Sequence, residues 1–290
     1  MHSYMRAIGF SEISNEELDD LLYKIIKFPQ IHQAAFNSEE VCYIEMRHEV
    51  CKNMGIAIRG IYNKDDTFKM DYYFPYYIGK KNSTNCDFEI IRQSDRESYQ
   101  GWADDSRIGV SLIFNLDNII DYLKSYKGRT RFEGENFRNI YLSGLALEGK
   151  VLLPNCEVDP NYKNKNSSNR SNLVAKAREG DEEAIENLTI EDIDMYAMIS
   201  RRITKEDIYS IVKTSFMPFG IESDKYSVIG IIKDIKEYIN EYSQEEVYIL
   251  TIETNDLPIE ICINKKCLMG EPKVGRRFKG NIWLQGHVDF

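Results

Sequence analysis

Residues 225–290 constrain the fold most, because apolar and polar side chains alternate there in short runs separated by turn residues. Such alternation is typical of half-buried strands. The strand-like runs are Tyr226–Ile235, Glu246–Thr254, Leu257–Ile263 and Arg277–Phe290. Asn255 and Asp256 predict a tight hairpin turn between the second and third runs. A meander, a crossing segment and a long final strand together predict a small OB-like β-barrel.

The clearest helical pattern lies near the start of the chain, at Asn15–Lys27. Leucines and isoleucines recur there at i, i+3, i+4 and i+7, and Ser14 and Glu17 have the spacing of a capping box. Pro29 follows the predicted end of the helix. One face of this helix must therefore be buried against another element.

Alternating runs after this helix predict that the other element is an antiparallel sheet. Strands are predicted at residues 42–50, 68–78 and 108–116, and residues 140–154 predict a hairpin that turns near Gly149. A short helix capped by Asp117 or Asn118 is predicted after the third of these runs. Several strands with few helices between them predict an α+β fold.

The composition changes sharply after residue 155. Residues 156–171 are rich in Asn, Ser and Lys and have almost no apolar side chains, which is typical of a linker or mobile loop. Helix-start signals such as Gly180 followed by Asp181 predict a helical connector beyond it, with an apolar stripe at Ile208, Ile211, Val212 and Phe216. The predicted organisation is an α+β domain over 1–155, a linker over 156–171, a helical connector over 172–224 and a barrel over 225–290.

Composition restricts the class of protein. The 290 residues are 42% hydrophobic and 29% charged, with a net charge of −10, which indicates a folded protein. The acidic balance argues against a protein that mainly coats nucleic acid. No apolar run has the length of a signal peptide or a membrane span, and the six cysteines are scattered, so a cytoplasmic location with reduced thiols is predicted.

Three motifs carry a resemblance to a known family. They are Tyr4–Phe10 (YMRAIGF), Ala177–Leu188 (AREGDEEAIENL) and Gly270–Gly286 (GEPKVGRRFKGNIWLQG). With them the whole chain resembles an uncharacterised family of bacterial proteins, a domain of unknown function of about this length. The resemblance implies a shared architecture, and it implies no activity, substrate or catalytic residue.

A basic cluster near the C-terminus is the first candidate site. It consists of Lys273, Arg276, Arg277, Lys279 and Trp283. Cations along a barrel strand can neutralise phosphates while an aromatic ring stacks on bases, which predicts a surface for single-stranded nucleic acid. The alternative is that Trp283 belongs to the core and the cations form a solvated strand edge.

Two further groups invite chemical interpretations. Asp104 and Asp105 could hold a divalent cation or act as acid and base, although adjacent acids in a loop are more often turn and capping residues. Cys42, His48 and Cys51 suggest zinc, but their spacing is poor and strand alternation separates Cys51 from the other two. No phosphate-binding loop, dinucleotide fingerprint or metalloprotease motif is present, so neither cofactor nor metal is predicted.

A polar strand face offers a last alternative. Glu45, Arg47 and Glu49 share one face of their strand, and tyrosines at 72, 73, 76 and 77 occupy both faces of another. These side chains could line a groove for a peptide or small ligand, or they could be ordinary cross-strand pairs. The leading hypothesis is a non-enzymatic cytoplasmic binding or adaptor protein whose partner is another protein. Nucleic-acid binding through the barrel and a metal-dependent enzyme using Asp104 and Asp105 are the alternatives.

Overall fold

The structure is a computed structural model that describes residues 1–36, 41–63, 65, 67–93, 98–105, 107–125, 139–153, 176–177, 180–190, 193, 209 and 212–290. The chain forms two compact units. The first unit combines Met1–Leu152 with Thr214–Phe290, and the second spans Leu153–Lys213. Both sheets belong to the first unit.

The elements of the first unit are two α-helices, two 3-10 helices and a series of strands. The helices are α1 (Asn15–Lys27), α2 (Ile119–Ser125) and the 3-10 turns Ser3–Ile8 and Lys265–Cys267. The strands are β1 (Ile31–Phe36), β2 (Cys42–Cys51), β3 (Met54–Tyr62), β4 (Phe68–Tyr77), β5 (Phe88–Arg92), β6 (Tyr99–Ala103), β7 (Leu112–Leu116), β8 (Ile140–Leu152), β9 (Ser215–Pro218), β10 (Lys225–Ile239), β11 (Glu246–Thr254), β12 (Leu257–Asn264), β13 (Leu268–Met269) and β14 (Arg277–Val288). No helix in the described part of the chain is long and apolar enough to cross a membrane.

Helix α1 begins at the predicted capping box. The backbone N–H of Glu17 donates to Ser14 Oγ at 3.2 Å, and the backbone N–H of Ser14 donates to the Glu17 carboxylate at 2.9 Å. The buried side of the helix is formed by Leu18, Leu21, Leu22 and Ile25. Burial of each such side chain contributes about 1.5–3 kcal/mol, so packing on the first sheet fixes the helix. The predicted helix is confirmed.

The first sheet is antiparallel, in the order β1-β2-β3-β4. Ile44 and Met46 of β2 pack with Ile56 and Ile58 of β3 in the core that also holds α1. Strand alternation sends Glu45 to the opposite face of the sheet. The predicted N-terminal antiparallel sheet is therefore confirmed.

The second sheet contains a closed barrel. Its path is β13-β8-β12-β11-β10-β14-β7-β6-β5, with β9 paired to β10. Strand β8 pairs in parallel with β12 and antiparallel with β14, so β8, β12, β11, β10 and β14 close a five-stranded ring. The fold is thus α+β, mainly β, with an antiparallel sheet and a barrel. The OB-like identity of the barrel stays a prediction.

Strand β8 corrects one expectation from the sequence. The segment predicted to turn near Gly149 runs as one continuous strand, Ile140–Leu152. A Cβ at Gly149 would lie 2.4 Å from Cε2 of Phe278, so this glycine allows a close approach of β14 and makes no turn. Because β8 supplies the fifth barrel strand, residues 225–290 do not close a barrel alone, and one compact unit includes strands from both predicted domains.

The predicted hairpin turn at Asn255 and Asp256 is present. Thr254 of β11 pairs with Leu257 of β12, which leaves these two residues as the turn. Their φ angles are 49° and 60°. Positive φ at both central residues is typical of the type I′ turn that joins tightly twisted strands.

The second unit is described only in part. A helix covers residues 182–190 and follows Gly180, whose φ is 88°. Asp181 Oδ1 accepts a hydrogen bond from the backbone N–H of Ala184 at 3.1 Å, as a helix cap does. The predicted helix start at Gly180 and Asp181 is confirmed. Residues 156–171 lie outside the described residues, as do Ile208 and Ile211.

The C-terminal part of the predicted connector is a strand. Residues Ser215–Pro218 form β9 and pair with β10. Phe216, predicted on a helical stripe, is buried and stacks on Tyr226 with ring centroids 4.4 Å apart. Burial of an aromatic side chain against β10 outweighs the weak helical pattern here.

Candidate functional site

A groove with a volume of about 1030 Å³ opens on the first unit. One wall is the chain between Phe10 and Lys24, which includes the first turns of α1. The other wall is the end of β10 and the turn to β11, residues 239–246, and Lys265 and Lys266 also line the space. We call this space the α1 groove.

Hydrogen bonds hold the two walls of the α1 groove together. Asn240 Nδ2 donates to the carbonyl of Ile8 at 2.8 Å, and Ser243 Oγ donates to the carbonyl of Gly9. Gly9 has a φ of 94°, and a Cβ there would lie 2.9 Å from Cβ of Asn240. Only glycine therefore fits at this contact without strain. These contacts fix the two walls of the groove relative to each other.

The α1 groove combines a buried apolar base with exposed apolar side chains. Phe10 and Leu21 are 2% and 4% exposed. Ile239 and Tyr242 on the opposite wall are 55% and 45% exposed. Large apolar side chains that stay exposed beside a concave surface are typical of binding sites.

Tyr242 is held in place by contacts with His48 of the first sheet. Its hydroxyl lies 2.8 Å from Nε2 of His48, and the two rings meet edge to face. The neighbouring backbone N–H of Glu241 donates to the carbonyl of Val50 at 2.9 Å. Burial lowers the pKa of His48, and its Nδ1 is buried without a hydrogen-bond partner among the described residues. Tyr242 is therefore held in one position on the groove wall.

A half-buried carboxylate organises the charged part of the α1 groove. Glu245 accepts hydrogen bonds from Ser11, from Asn264 Nδ2 at 2.7 Å and from Lys266 Nζ at 2.9 Å. Burial alone would raise the pKa of Glu245, but the hydrogen bonds from Ser11 and Lys266 hold it below its usual value. Lys265 in turn pairs with Glu246 at 2.9 Å. Both lysines thus have acidic partners inside the groove.

The residues of the predicted basic cluster lie in different environments. Lys273 Nζ pairs with Glu271 at 2.9 Å, and Arg276 Nη1 donates to the carbonyl of the same residue at 2.9 Å. Arg277 is 4% exposed, and burial lowers its pKa. Lys279 is half-buried on β14. Only part of the predicted cation set is therefore available to a phosphate backbone.

Trp283, the predicted stacking platform, belongs to the core. It is 9% exposed, and its Nε1 donates to Asp224 at 2.8 Å. Its ring packs against Tyr4 and His2, with centroids 5.4 and 5.1 Å away. A base cannot stack on a ring covered in this way.

The predicted acid pair separates into two different environments. Asp104 is exposed and accepts a hydrogen bond from Ser111 Oγ at 2.7 Å. Asp105 is buried, forms an ion pair with Arg107 and accepts a hydrogen bond from Thr84 Oγ1 at 2.7 Å. Burial alone would raise the pKa of Asp105, but the hydrogen bonds from Arg107 and Thr84 lower it to about 2. This carboxylate anchors a loop.

The described residues show no geometry that matches the zinc alternative. Within the described residues, no group of three His, Cys, Asp or Glu side chains is placed to hold a metal ion. His48 contacts Tyr242, while Cys42 and Cys51 are half-buried free thiols.

A buried ionic cluster joins the two sheets, and no pattern in the sequence predicts it. Its members are Glu45, Arg47, Arg59, Asp117 and His287. Glu45 accepts from Arg47 Nε at 2.7 Å and from Arg59 Nε at 2.6 Å. Arg47 also reaches Asp117 at 3.1 Å, and Asp117 Oδ2 lies 3.1 Å from Nδ1 of His287. We call this set the ionic cluster.

The ionic cluster replaces the predicted polar groove on the face of Glu45 and Arg47. Both side chains are buried, at 2% and 6% exposure, so neither is open to a ligand. Tyr72 accepts a hydrogen bond from Arg59 Nη1 at 3.0 Å, and Tyr76 lies under the guanidinium of Arg47. The alternation of Glu45 and Arg47 was the available signal, but it is equally typical of a solvated sheet face.

Opposite charges set the pKa values inside the ionic cluster. Burial alone would raise the pKa of Asp117, but Arg47 and His287 hold it far below its usual value. Burial alone would lower the pKa of His287, but the hydrogen bond and charge of Asp117 raise it. The two arginines balance the two carboxylates, so none of these four buried charges lacks a counter-charge at the junction of the sheets.

Comparison with known proteins identifies a family and no individual relative. No curated protein and no solved structure matches the chain. A family model described as "Domain of unknown function, E. rectale Gene description (DUF3881)" matches residues 5–286. The match agrees with the resemblance to an uncharacterised family. The chain therefore belongs to this family of domains of unknown function.

Proposed function

We propose that the protein is a non-enzymatic binding protein and that the α1 groove holds a segment of another protein. The observation that carries this proposal is the exposure of Ile239 and Tyr242 on a wall fixed by hydrogen bonds. Aromatic and aliphatic anchors surrounded by polar side chains provide most of the affinity at protein interfaces. A preformed groove lowers the entropy cost of binding.

The size of the groove favours a protein segment. A volume of about 1030 Å³ lies at the upper end of the range for small-molecule sites, and this groove is open along α1. A peptide segment can place side chains on Ile239 and Tyr242 while its backbone contacts the polar rim. We further propose a cytoplasmic location for this interaction and an OB-like barrel as its scaffold.

The two alternative functions have weaker support. The buried ring of Trp283 does not favour nucleic-acid binding through the barrel, which stays a prediction. The ion pair of Asp105 with Arg107 accounts for that acid without catalysis.

The proposal is tested by capture from a lysate of the source organism with immobilised protein. The variant Ile239→Ser combined with Tyr242→Ala removes both exposed anchors. The matched control Ile221→Ser changes a side chain that is 99% exposed outside the groove. We expect one protein to be retained by the wild type and the control and lost by the groove variant. Equal retention by all three proteins would reject the proposal.

A further inference from the structure

Three carboxylates line the α1 wall of the groove. Glu12, Glu17 and Asp20 are all exposed and border the space opposite Tyr242. The carboxylate of Glu17 accepts hydrogen bonds from Ser14, which lower its pKa and keep it ionised. This wall therefore presents negative charge to any ligand in the groove.

Two of the three groove lysines pair mainly with acids of the opposite wall, and the third, Lys24, lies on the α1 wall itself. Lys265 and Lys266 make their shorter ion pairs, 2.9 Å each, with Glu246 and Glu245. Lys266 also approaches Glu12, but only at 3.9 Å. Five carboxylates and three lysines line the groove, so its net charge is −2. Within the described residues, no ion pair joins Asp20 to a cation.

The helix dipole does not account for these acids. Acids in the first turn of a helix stabilise it, and the effect falls off beyond that turn. Glu16 and Glu17 lie in the first turn of α1. Asp20 is the sixth residue of the helix, and Glu12 precedes the cap residue Ser14. Two of the three groove acids therefore have no role in capping.

We infer that the α1 groove selects a cationic protein segment, with an apolar side chain flanked by Lys or Arg. This inference rests on the proposed function. The apolar side chain would contact Ile239 and Tyr242, and the flanking cations would lie against Glu12, Glu17 and Asp20. Opposite charges at the rim of an interface provide specificity and speed association, and salt weakens them.

Three fluorescein-labelled peptides test the inference by fluorescence anisotropy with the full chain. All carry the same central leucines, and their flanking residues are Lys, Ser or Glu. We expect the Lys peptide to bind about tenfold more tightly than the Glu peptide at low salt, with a smaller difference at physiological salt. Tighter binding of the Glu peptide, or equal binding of all three, would overturn the inference.

A charge-reversal pair locates the effect. Glu12→Lys with Asp20→Lys changes the groove wall, while Glu16→Lys with Asp19→Lys changes exposed positions on the same segment that do not line the groove. Both variants shift the net charge equally. We expect the first to abolish the preference for the Lys peptide and the second to keep it; the reverse result would contradict the inference. If all three peptides bind equally and the variant Ile239→Ser with Tyr242→Ala abolishes their binding, the inference fails and the proposed function stands. If that variant leaves the binding of the peptides unchanged, both proposals fail.

Discussion

The hydroxyl of Tyr242 lies 2.8 Å from Nε2 of His48, so this exposed side chain of the groove is hydrogen-bonded to the first sheet. The substitution Tyr242→Phe removes this contact and keeps the ring. Because a typical intramolecular hydrogen bond contributes about 0.5–1.5 kcal/mol, we expect the free energy of unfolding to fall by about 1 kcal/mol. Urea denaturation measures this change. Tyr23→Phe on an exposed position of α1 is the control, and an equal loss there would contradict the assigned bond.

We expect one neutral substitution in the ionic cluster to lower the free energy of unfolding strongly. Glu45→Gln leaves the guanidinium groups of Arg47 and Arg59 buried beside an uncharged partner. Removing one partner of a buried ion pair costs about 3–5 kcal/mol, so we expect a loss of this size in the free energy of unfolding. Urea denaturation of Glu45→Gln is compared with Glu16→Gln on an exposed turn of α1. A loss below about 1 kcal/mol for Glu45→Gln contradicts a buried cluster.

The raised pKa of His287 predicts how its contribution to the stability of the protein changes with pH. Its folded-state pKa is raised above the ordinary 6.5, chiefly because Asp117 outweighs burial, while Arg47 opposes and Asp121 supports the shift. Its stabilising contribution is therefore fully present below pH 6.5 and is lost as the pH rises through the folded-state pKa. We expect the stability difference between wild type and His287→Gln to shrink as the pH rises from neutral. His32→Gln, at an exposed position of β1, is the control; a stability difference that grows with pH would contradict the predicted sign.

We expect Asp105 to stabilise the fold through its ion pair with Arg107. Asp105→Asn removes the charge that pairs with Arg107, and we expect a loss of about 1–3 kcal/mol in the free energy of unfolding. Asp104→Asn, which changes an exposed acid, is expected to have little effect. Because the folded-state pKa of Asp105 is about 2, its contribution is present above pH 3.8 and is lost as the pH falls toward 2. Equal stabilities of the two variants would contradict the anchoring role.

Closure of the barrel through β8 is tested at Gly149. In Gly149→Ala the new Cβ would lie 2.4 Å from the ring of Phe278, which is fully buried. Overpacking of this kind costs about 1–3 kcal/mol. Thermal denaturation measures the loss, and Lys150→Ala on the same strand is the control. A Gly149→Ala protein with the same midpoint of thermal denaturation as the wild type would contradict the close packing of β8 on β14.

Local features of the fold could be predicted from the sequence. The capping box of Ser14 and Glu17 and the turn at Asn255 and Asp256 depend on residues close in the chain. The alternation of β2 and β4 also follows from short-range patterns. A capping box or a tight hairpin turn has the same residue pattern in any fold that contains it.

The groove and the ionic cluster could not be predicted, because both depend on contacts between distant residues. Asn240 and Ile8, which join the groove walls, are 232 positions apart, and Arg47 and Asp117 are 70 positions apart. Gly149 also has the sequence signal of a turn, although its role is to admit the ring of Phe278. A single sequence does not indicate which distant side chains meet.

The most direct test of the central claim is photo-cross-linking in living cells of the source organism. A photoreactive amino acid replaces Ile239 in the groove and, in a matched protein, Ile221 outside it. Because Ile239 borders the α1 groove, we predict one discrete protein adduct at this position and none at Ile221. Adducts of the same size and yield at both positions, or none at Ile239, would contradict a protein-binding groove.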